Sequence, residues 1–353
     1  MYGRPRFKPR TAMAQCPGCG TTLTPRYEPD AGGLLRCSTV ISESPYEECS
    51  FVLPQSLVPV PFVRIGASGV PSNGQSIWNV VFHQRMWSTV GIRGMVMAQM
   101  RCGGNRDADR CYEQLLYGCS LSATDPWSCP ITRSTYCNRR SSFLGSREFV
   151  LDIQDYAGEI TRRMTIEDAK RLRLLDCDGI VMFVDPTKAP DEYLATFRQF
   201  FADLKGRRAK NAGQPVSVPV ALVVPKVDLL LCCGIDYGSR LTQVSQLLAE
   251  LRHSRPINED TTLHAIEIRS ALVEKLVRDV VPLAHIRSMI EAVVGRDHVM
   301  VFPVATLGWQ PEPLKHLASL GREAHGWLME NSFGVLDPVL WLLHRLGVRR
   351  LPA

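Results

Sequence analysis

The stretch Ile65-Gly66-Ala67-Ser68-Gly69-Val70-Pro71-Ser72-Asn73-Gly74-Gln75-Ser76 follows an apolar run, Val60 to Ile65, and opens a helix-like run from Ile77 onward. Counted from Gly69, it satisfies the phosphate-cradling pattern G-x-x-x-x-G-K-[ST] at every constrained place but one, where Gln75 stands for the lysine. Counted from Gly66, directly after the expected strand end, it carries three residues inserted before Gly74, and the lysine place is again Gln75. A neutral amide cannot neutralise charge between outer phosphates. Pro71 also removes one backbone donor from a loop whose purpose is to present donors.

On either side of this stretch, short apolar runs alternate with amphipathic ones. That pattern predicts an α/β fold, a mostly parallel sheet with helices on both faces. Strands are expected over Phe62–Ile65, Glu148–Ile153, Gly179–Val184, Val218–Val224 and His298–Val304. Helices are expected near Ser76–Trp87, Thr165–Leu174, Asp191–Asp203, Ser239–His253, Leu272–Val294 and Glu312–Met329. The run from Gly334 to Leu343 reads as a closing apolar helix with Pro338 in its first turn.

Residue types suited to nucleotide chemistry stand at the strand ends. Asp155-Tyr156-Ala157-Gly158-Glu159 follows the second strand. There the Asp155 carboxylate would hold magnesium through water and the Gly158 amide would approach a terminal phosphate. Pro225-Lys226-Val227-Asp228 follows the fourth strand. Asp228 would accept two N–H donors from the guanine edge, a pair adenine lacks, while the Lys226 stem packs on base and ribose. Phe302-Pro303-Val304-Ala305-Thr306-Leu307-Gly308 follows the last strand and offers the amide near Ala305 to the guanine carbonyl oxygen. Asp185, at the end of the third strand, has no assigned chemistry.

In this order and placement, over roughly residues 62–310, the motifs resemble those of the Ras-like P-loop GTPases. More narrowly, the chain resembles bacterial "double-GTPase" proteins in its Cys-Pro-Gly-Cys-Gly knuckle, Asp-Tyr-Ala-Gly-Glu, Phe-Pro-Val-Ala-Thr-Leu-Gly and closing Asp-Pro-Val-Leu-Trp-Leu-Leu. The resemblance implies a P-loop NTPase-type sheet that takes GTP or GDP with Mg2+. Gly69, Gly74, Gln75 and Ser76 would serve phosphate, Ser76, Thr132 and Asp155 magnesium, Gly158 the terminal phosphate, and Lys226, Asp228 and Ala305 the base. Thr135 is the alternative to Thr132. Glu159 sits where Ras itself has its water-orienting glutamine, and is the candidate catalytic residue. Pro225 replaces the Asn or Thr that ties base motif to phosphate loop in the family.

Before this domain come Cys16, Cys19, Cys37 and Cys49, with the first pair in a Cys-Pro-Gly-Cys-Gly knuckle. Four thiolates would close a tetrahedral, structural Zn2+ site, and a segment of this length has too little core to fold without one. The expected organisation is a disordered basic lead over 1–15, a zinc ribbon over 16–52, a proline-punctuated linker over 52–61, and a GTPase-like P-loop domain over 60–345. Asp155 lies 79 positions beyond Ser76, which implies an insertion over about 95–140. Its five cysteines match no metal spacing and read as reduced thiols.

The formal charge of +6 on 353 residues resides in the ends: Arg4, Arg6, Lys8, Arg10, Arg345, Arg349 and Arg350 leave the rest close to neutral. No nucleic-acid groove is implied. Without a signal-peptide core or an apolar run of membrane-spanning length, a cytoplasmic, non-membrane protein is expected, and a protein partner with it. The functional expectation is a degenerate GTPase-like module with weak or no hydrolysis, regulatory or interactive in role. One alternative is a slow active GTPase whose cation comes from Lys188 or Arg133; the other is a scaffold that binds no nucleotide.

Overall fold

The first strand of the domain runs further than its sequence pattern predicts. In the structure, a computed structural model, it spans Pro61–Gly69 and is buried on both faces from Phe62 onward. Residues 10–11, 34–36, 52–54, 60–70, 74–88, 96–99, 103–121, 132–139, 149–156, 174–188, 190–209, 214–231, 238–254, 262–279, 281–310 and 312–348 are described. The strands among them are β1 (Arg10–Thr11), β2 (Leu34–Arg36), β3 (Val52–Pro54), β4 (Pro61–Gly69), β5 (Val96–Gln99), β6 (Thr132–Arg139), β7 (Phe149–Asp155), β8 (Gly179–Phe183), β9 (Val220–Val224) and β10 (Val299–Pro303).

The main sheet has the order β10-β9-β8-β4-β7-β6-β5. From β10 to β7 the five strands are parallel, as near-continuous Val/Ile/Leu runs predict for strands covered on both faces. Beyond β7, β6 and β5 continue the sheet antiparallel. The expected insertion is therefore largely an extension of the sheet edge. Phe62–Ala67 of β4 pair with β7, and Ile65–Gly69 pair with β8, so Gly66 to Gly69 belong to the strand. Gly66 is there for packing: a Cβ would stand 2.5 Å from Leu174 Cδ1 and 3.0 Å from Cys177 Sγ. The extra residues between strand and loop vanish, and the count from Gly69 is the one that puts the loop at a strand end.

Alternate residues of each strand serve two cores. Val63, Ile65 and Ala67 face a cluster with Trp78, Phe82, Tyr112, Leu115 and the closing helix Asp337–Arg345, whose residues through Leu343 are all buried. Ile180, Met182, Leu222 and Val224 face the opposite cluster, with Phe197, Phe200, Phe201, Leu248 and Ile290. The helix Pro190–Arg208 supplies Tyr193, Phe197, Phe200, Phe201 and Leu204 to it from one stripe.

Several expected boundaries are corrected. The helix expected over Leu272–Val294 is two, Leu263–Asp279 and Val281–Val294. Pro282, second in the latter, has no amide hydrogen to continue the former. The helix expected over Glu312–Met329 breaks into Pro313–Leu320 and Ala324–Asn331 at Gly321, whose φ is 55°. Val52–Pro54, expected as linker, pairs antiparallel with Leu34–Arg36. Within the lead expected to be disordered, Arg10–Thr11 pair with Phe62 and Pro61. Of the helix expected over Thr165–Leu174, all but Leu174 lies outside the described residues.

Candidate functional site

The carboxyl ends of β4, β7, β8, β9 and β10 lie along one edge of the parallel sheet. From β4 the chain passes to β7 on one side, then crosses to β8 on the other. Such a reversal of direction makes β4 the topological switch point, outside whose end ligands of open α/β sheets bind. Gly69, Val70 and Gly74 to Ser76 stand there.

Gly74 has a φ of 87°, a left-handed conformation that favours glycine. Its carbonyl accepts from the Trp78 amide at 2.9 Å, which starts the helix Gln75–Ser88. The indole Nε1 of Trp78, itself fully buried, donates to Val335 O at 3.0 Å and so anchors this helix against the segment before the closing helix. Gln75 is buried and its side chain turns inward. Its Nε2 donates to Ala67 O at 2.8 Å, to Tyr156 O at 2.9 Å and to Asp155 Oδ1. The lysine-like position therefore holds the ends of β4 and β7 together.

Asp155 is fully buried, and loss of solvent pushes its carboxyl up to about 7, against the opposing hydrogen bonds from Gln75 and Ser76. Its Oδ2 has no hydrogen-bond partner among the described residues. Thr132, the third residue of the expected magnesium set, pairs with Asp155 in the β6–β7 register; its side chain, like that of Thr135, lies outside what is described. Gly158 and Glu159 lie outside the described residues, as do Cys16, Cys19, Cys37 and Cys49. Among the described residues no group of three or more His, Cys, Asp or Glu is placed to hold a metal ion. Of the insertion's cysteines, Cys137 lies on β6 opposite Val150, Cys111 is partly buried and Cys119 is exposed.

Across β4, Lys226 is the one non-glycine residue with positive φ among the described residues, at φ 56° and ψ 32°. A conformation that costs on the order of 1–3 kcal/mol persists only where its surroundings enforce it. Here the enforcing groups are visible. Lys226 Nζ donates to Asp185 Oδ2 at 2.6 Å, and the amide after it, Val227 N, donates to Val304 O at 3.3 Å. The lysine stem lies against the loop: its Cε would be 3.8 Å from a Cβ placed on Gly74. Contact between the turn after β9 and Gly74 is thus made by the lysine stem, where Pro225 offers no hydrogen-bonding side chain. Asp228, two residues on, is largely desolvated, and its carboxyl is pushed up to about 7 against its own backbone hydrogen bond and the Lys226 charge.

Asp185, to which the sequence assigns no chemistry, is the hub of this half of the site. Its Oδ1 accepts from Thr187 N at 2.9 Å and Thr187 Oγ1 at 2.6 Å. Its amide donates to the Tyr193 hydroxyl at 2.9 Å, which donates back to Asp185 O at 3.0 Å. The legible signal was an aspartate immediately after a buried strand with threonine two places later, an Asx-turn spacing. The Ala305 amide, expected to face a guanine carbonyl, instead donates to Phe333 O at 3.1 Å, and Phe333 N returns a bond to Ala305 O at 2.9 Å. Lys188 lies in the turn after β8, its amide bonded to Asp185 O at 3.2 Å. Arg133 lies on β6 opposite Gln154.

Among the described residues no helix is long and apolar enough to cross a membrane. A scan against protein-family models finds no match, and no curated protein matches the chain.

Proposed function

We propose that the chain is a P-loop, GTPase-like domain joined to a zinc ribbon, one that binds guanine nucleotide weakly, hydrolyses it slowly or not at all, and acts as a regulatory or interaction module. The observation that carries this reading is the commitment of the Gln75 amide to Ala67 O, Tyr156 O and Asp155. A group placed to neutralise phosphate is spent on closing the sheet. Its neutral amide withholds about 1.5–3 kcal/mol of charge-assisted binding and the cation a transition state would need. The rest of the site suits a nucleotide: a helix N-terminus, a glycine with positive φ, and an enforced Lys226-Val227-Asp228 turn against the loop. Asp155 and Ser76, in hydrogen-bond contact, are the residues that would hold a hydrated magnesium ion.

Equilibrium binding of fluorescent GDP, GTP and ATP to wild type, Asp228→Ala and Gln75→Lys tests the reading. We expect weak guanine-selective binding, lost in Asp228→Ala and strengthened about 10- to 100-fold in Gln75→Lys. GTP turnover at ordinary GTPase rates by the wild type would contradict it. A second reading, a scaffold that binds no nucleotide, draws on the Ala305 amide being spent on Phe333; absence of binding at millimolar nucleotide would favour it.

A further inference from the structure

We propose that Asp185 sets base selectivity: it is a positioning residue that acts through Lys226 to hold Asp228 where both carboxylate oxygens can meet a guanine edge. The inference rests on the nucleotide reading above and adds to it a residue outside the motif that would touch the base.

Asp185 and Lys226 leave neighbouring parallel strands, β8 and β9, whose register sets Phe183 beside Val223. Asp185 is the fixed member of the pair. Thr187 N and Thr187 Oγ1 donate to its Oδ1 at 2.9 and 2.6 Å. The hydroxyl of Tyr193, a buried residue of the helix Pro190–Arg208, accepts from its amide at 2.9 Å and donates to its carbonyl at 3.0 Å. Oδ2 is left for Lys226 Nζ, which donates to it at 2.6 Å. The Asp185 side chain has no solvent exposure, whereas that of Lys226 is 34% exposed.

What the pair fixes is a backbone conformation. Lys226 sits at φ 56° and ψ 32°, and its carbonyl accepts from Leu229 N at 2.9 Å. That bond closes the single 3-10 turn Val227–Leu229, which carries the partly exposed Asp228. A residue with a Cβ leaves the left-handed region when nothing holds it there. Relaxation at Lys226 would swing the turn, and Asp228 with it. Guanine presents two parallel donors, N1–H and the 2-amino group, and hypoxanthine presents N1–H alone. Accepting both requires the carboxylate to lie aligned with the base edge, while accepting one tolerates rotation. Loss of alignment therefore erodes discrimination between the two bases, and contact of either base with the Lys226 stem survives it.

The test is competition by unlabelled GDP and inosine diphosphate against ribose-labelled fluorescent GDP on the full chain. Both competitors carry the same phosphates, so their affinity ratio reports on the base alone. We expect wild type to favour GDP by about tenfold or more, and Asp185→Asn, which keeps an oxygen for Thr187 but sets an amide against the ammonium, to bring the ratio within about threefold. Lys226→Met keeps the stem and removes the ammonium; it should lower the ratio likewise, and supplies the comparison should Asp185→Asn fold poorly. Glycine takes positive φ without an enforcing group. In a Lys226→Gly background, adding Asp185→Asn should therefore leave the ratio unmoved. A ratio equal to that of wild type in Asp185→Asn, whatever its melting temperature, would reduce Asp185 to a structural role and overturn the proposal. So would a further fall in the ratio on adding Asp185→Asn to Lys226→Gly. Equal affinity of wild type for the two diphosphates, with ATP still excluded, would overturn the proposal and leave the nucleotide reading intact. Binding of no guanine ligand at millimolar concentration would overturn both.

Discussion

Asp155 bears the cost of the Gln75 arrangement. A lysine at position 75 would set a full charge against the buried carboxylate; an amide sets only a dipole, and the carboxyl rises from an ordinary 3.8 to about 7. Because the folded value exceeds the unfolded one, the unfolded chain ionises first as pH climbs. Stability therefore falls between about pH 4 and pH 7 and levels off above, by on the order of 2–4 kcal/mol for this group. Asp228 is shifted in the same direction and adds its own slope. Asp155→Asn keeps the acceptor for Gln75 and cannot ionise. Urea titrations should find it more stable than wild type at pH 8 by roughly that amount and equal to it at pH 4, with the Asp228 part of the slope remaining. A variant less stable than wild type at pH 8 would show that the ionised carboxylate is held favourably. At this scale the sequence showed which residues lie near one another and not which way they point. Gln75, Asp155, Lys226 and Asp228 do gather at one sheet edge. That the Gln75 amide faces inward, and that Asp185 holds Lys226, depends on partners 80 and 41 positions away.

Elements were legible where periodicity was strong and misread where one residue changed the backbone. The buried strands β7 to β10 lie within two residues of their expected bounds at either end, because apolar runs of that length flanked by turn residues have few other uses. β4 runs past its expected end at Ile65, because Gly66 and Gly69 look like loop residues in sequence. Only the Leu174 and Cys177 packing above Gly66 shows why a strand needs a glycine there. The Leu263–Asp279 helix begins nine residues before the expected start at Leu272, and Arg269 lies in that added part. It is 2% exposed and pairs through Nε with Asp337 Oδ2 at 2.7 Å, joining this helix to the first turn of the closing helix. The carboxylate also sits favourably at that N-terminus. Removing one partner leaves the other buried and unpaired, so Asp337→Ala should destabilise by about 3–5 kcal/mol, measured by urea unfolding. Arg269→Met with Asp337→Leu should recover most of that loss; failure to recover would mean the helix junction needs the ion pair itself.

For the whole molecule, the spacing between motifs implies an insertion over about 95–140, and the topology makes that segment part of the sheet and its core. β6 lies along the whole of β7, from Asn138 opposite Phe149 to Thr132 opposite Asp155, and β5 lies outside it. The helix Gly103–Leu116 places Tyr112 and Leu115 in the same core as Trp78 and Leu317. Its Asp109 accepts from Gln84 at 2.8 Å and meets the buried His83 at 3.3 Å, while the Tyr112 hydroxyl meets His325 Nδ1 at 2.9 Å. Sequence spacing could not reveal this, because every contact is made with segments far along the chain. Replacing residues 96–139 by a short Gly/Ser linker would strip two large side chains from the core and leave β7, next to the candidate site, as an open sheet edge. At about 1.5–3 kcal/mol for each lost apolar side chain, plus the lost strand pairing, the cost approaches the 5–15 kcal/mol that holds a domain together. The shortened chain should show no cooperative urea transition and should aggregate. A cooperative melt within about 5 °C of wild type would instead mark the inserted segment as an addition to a self-sufficient sheet.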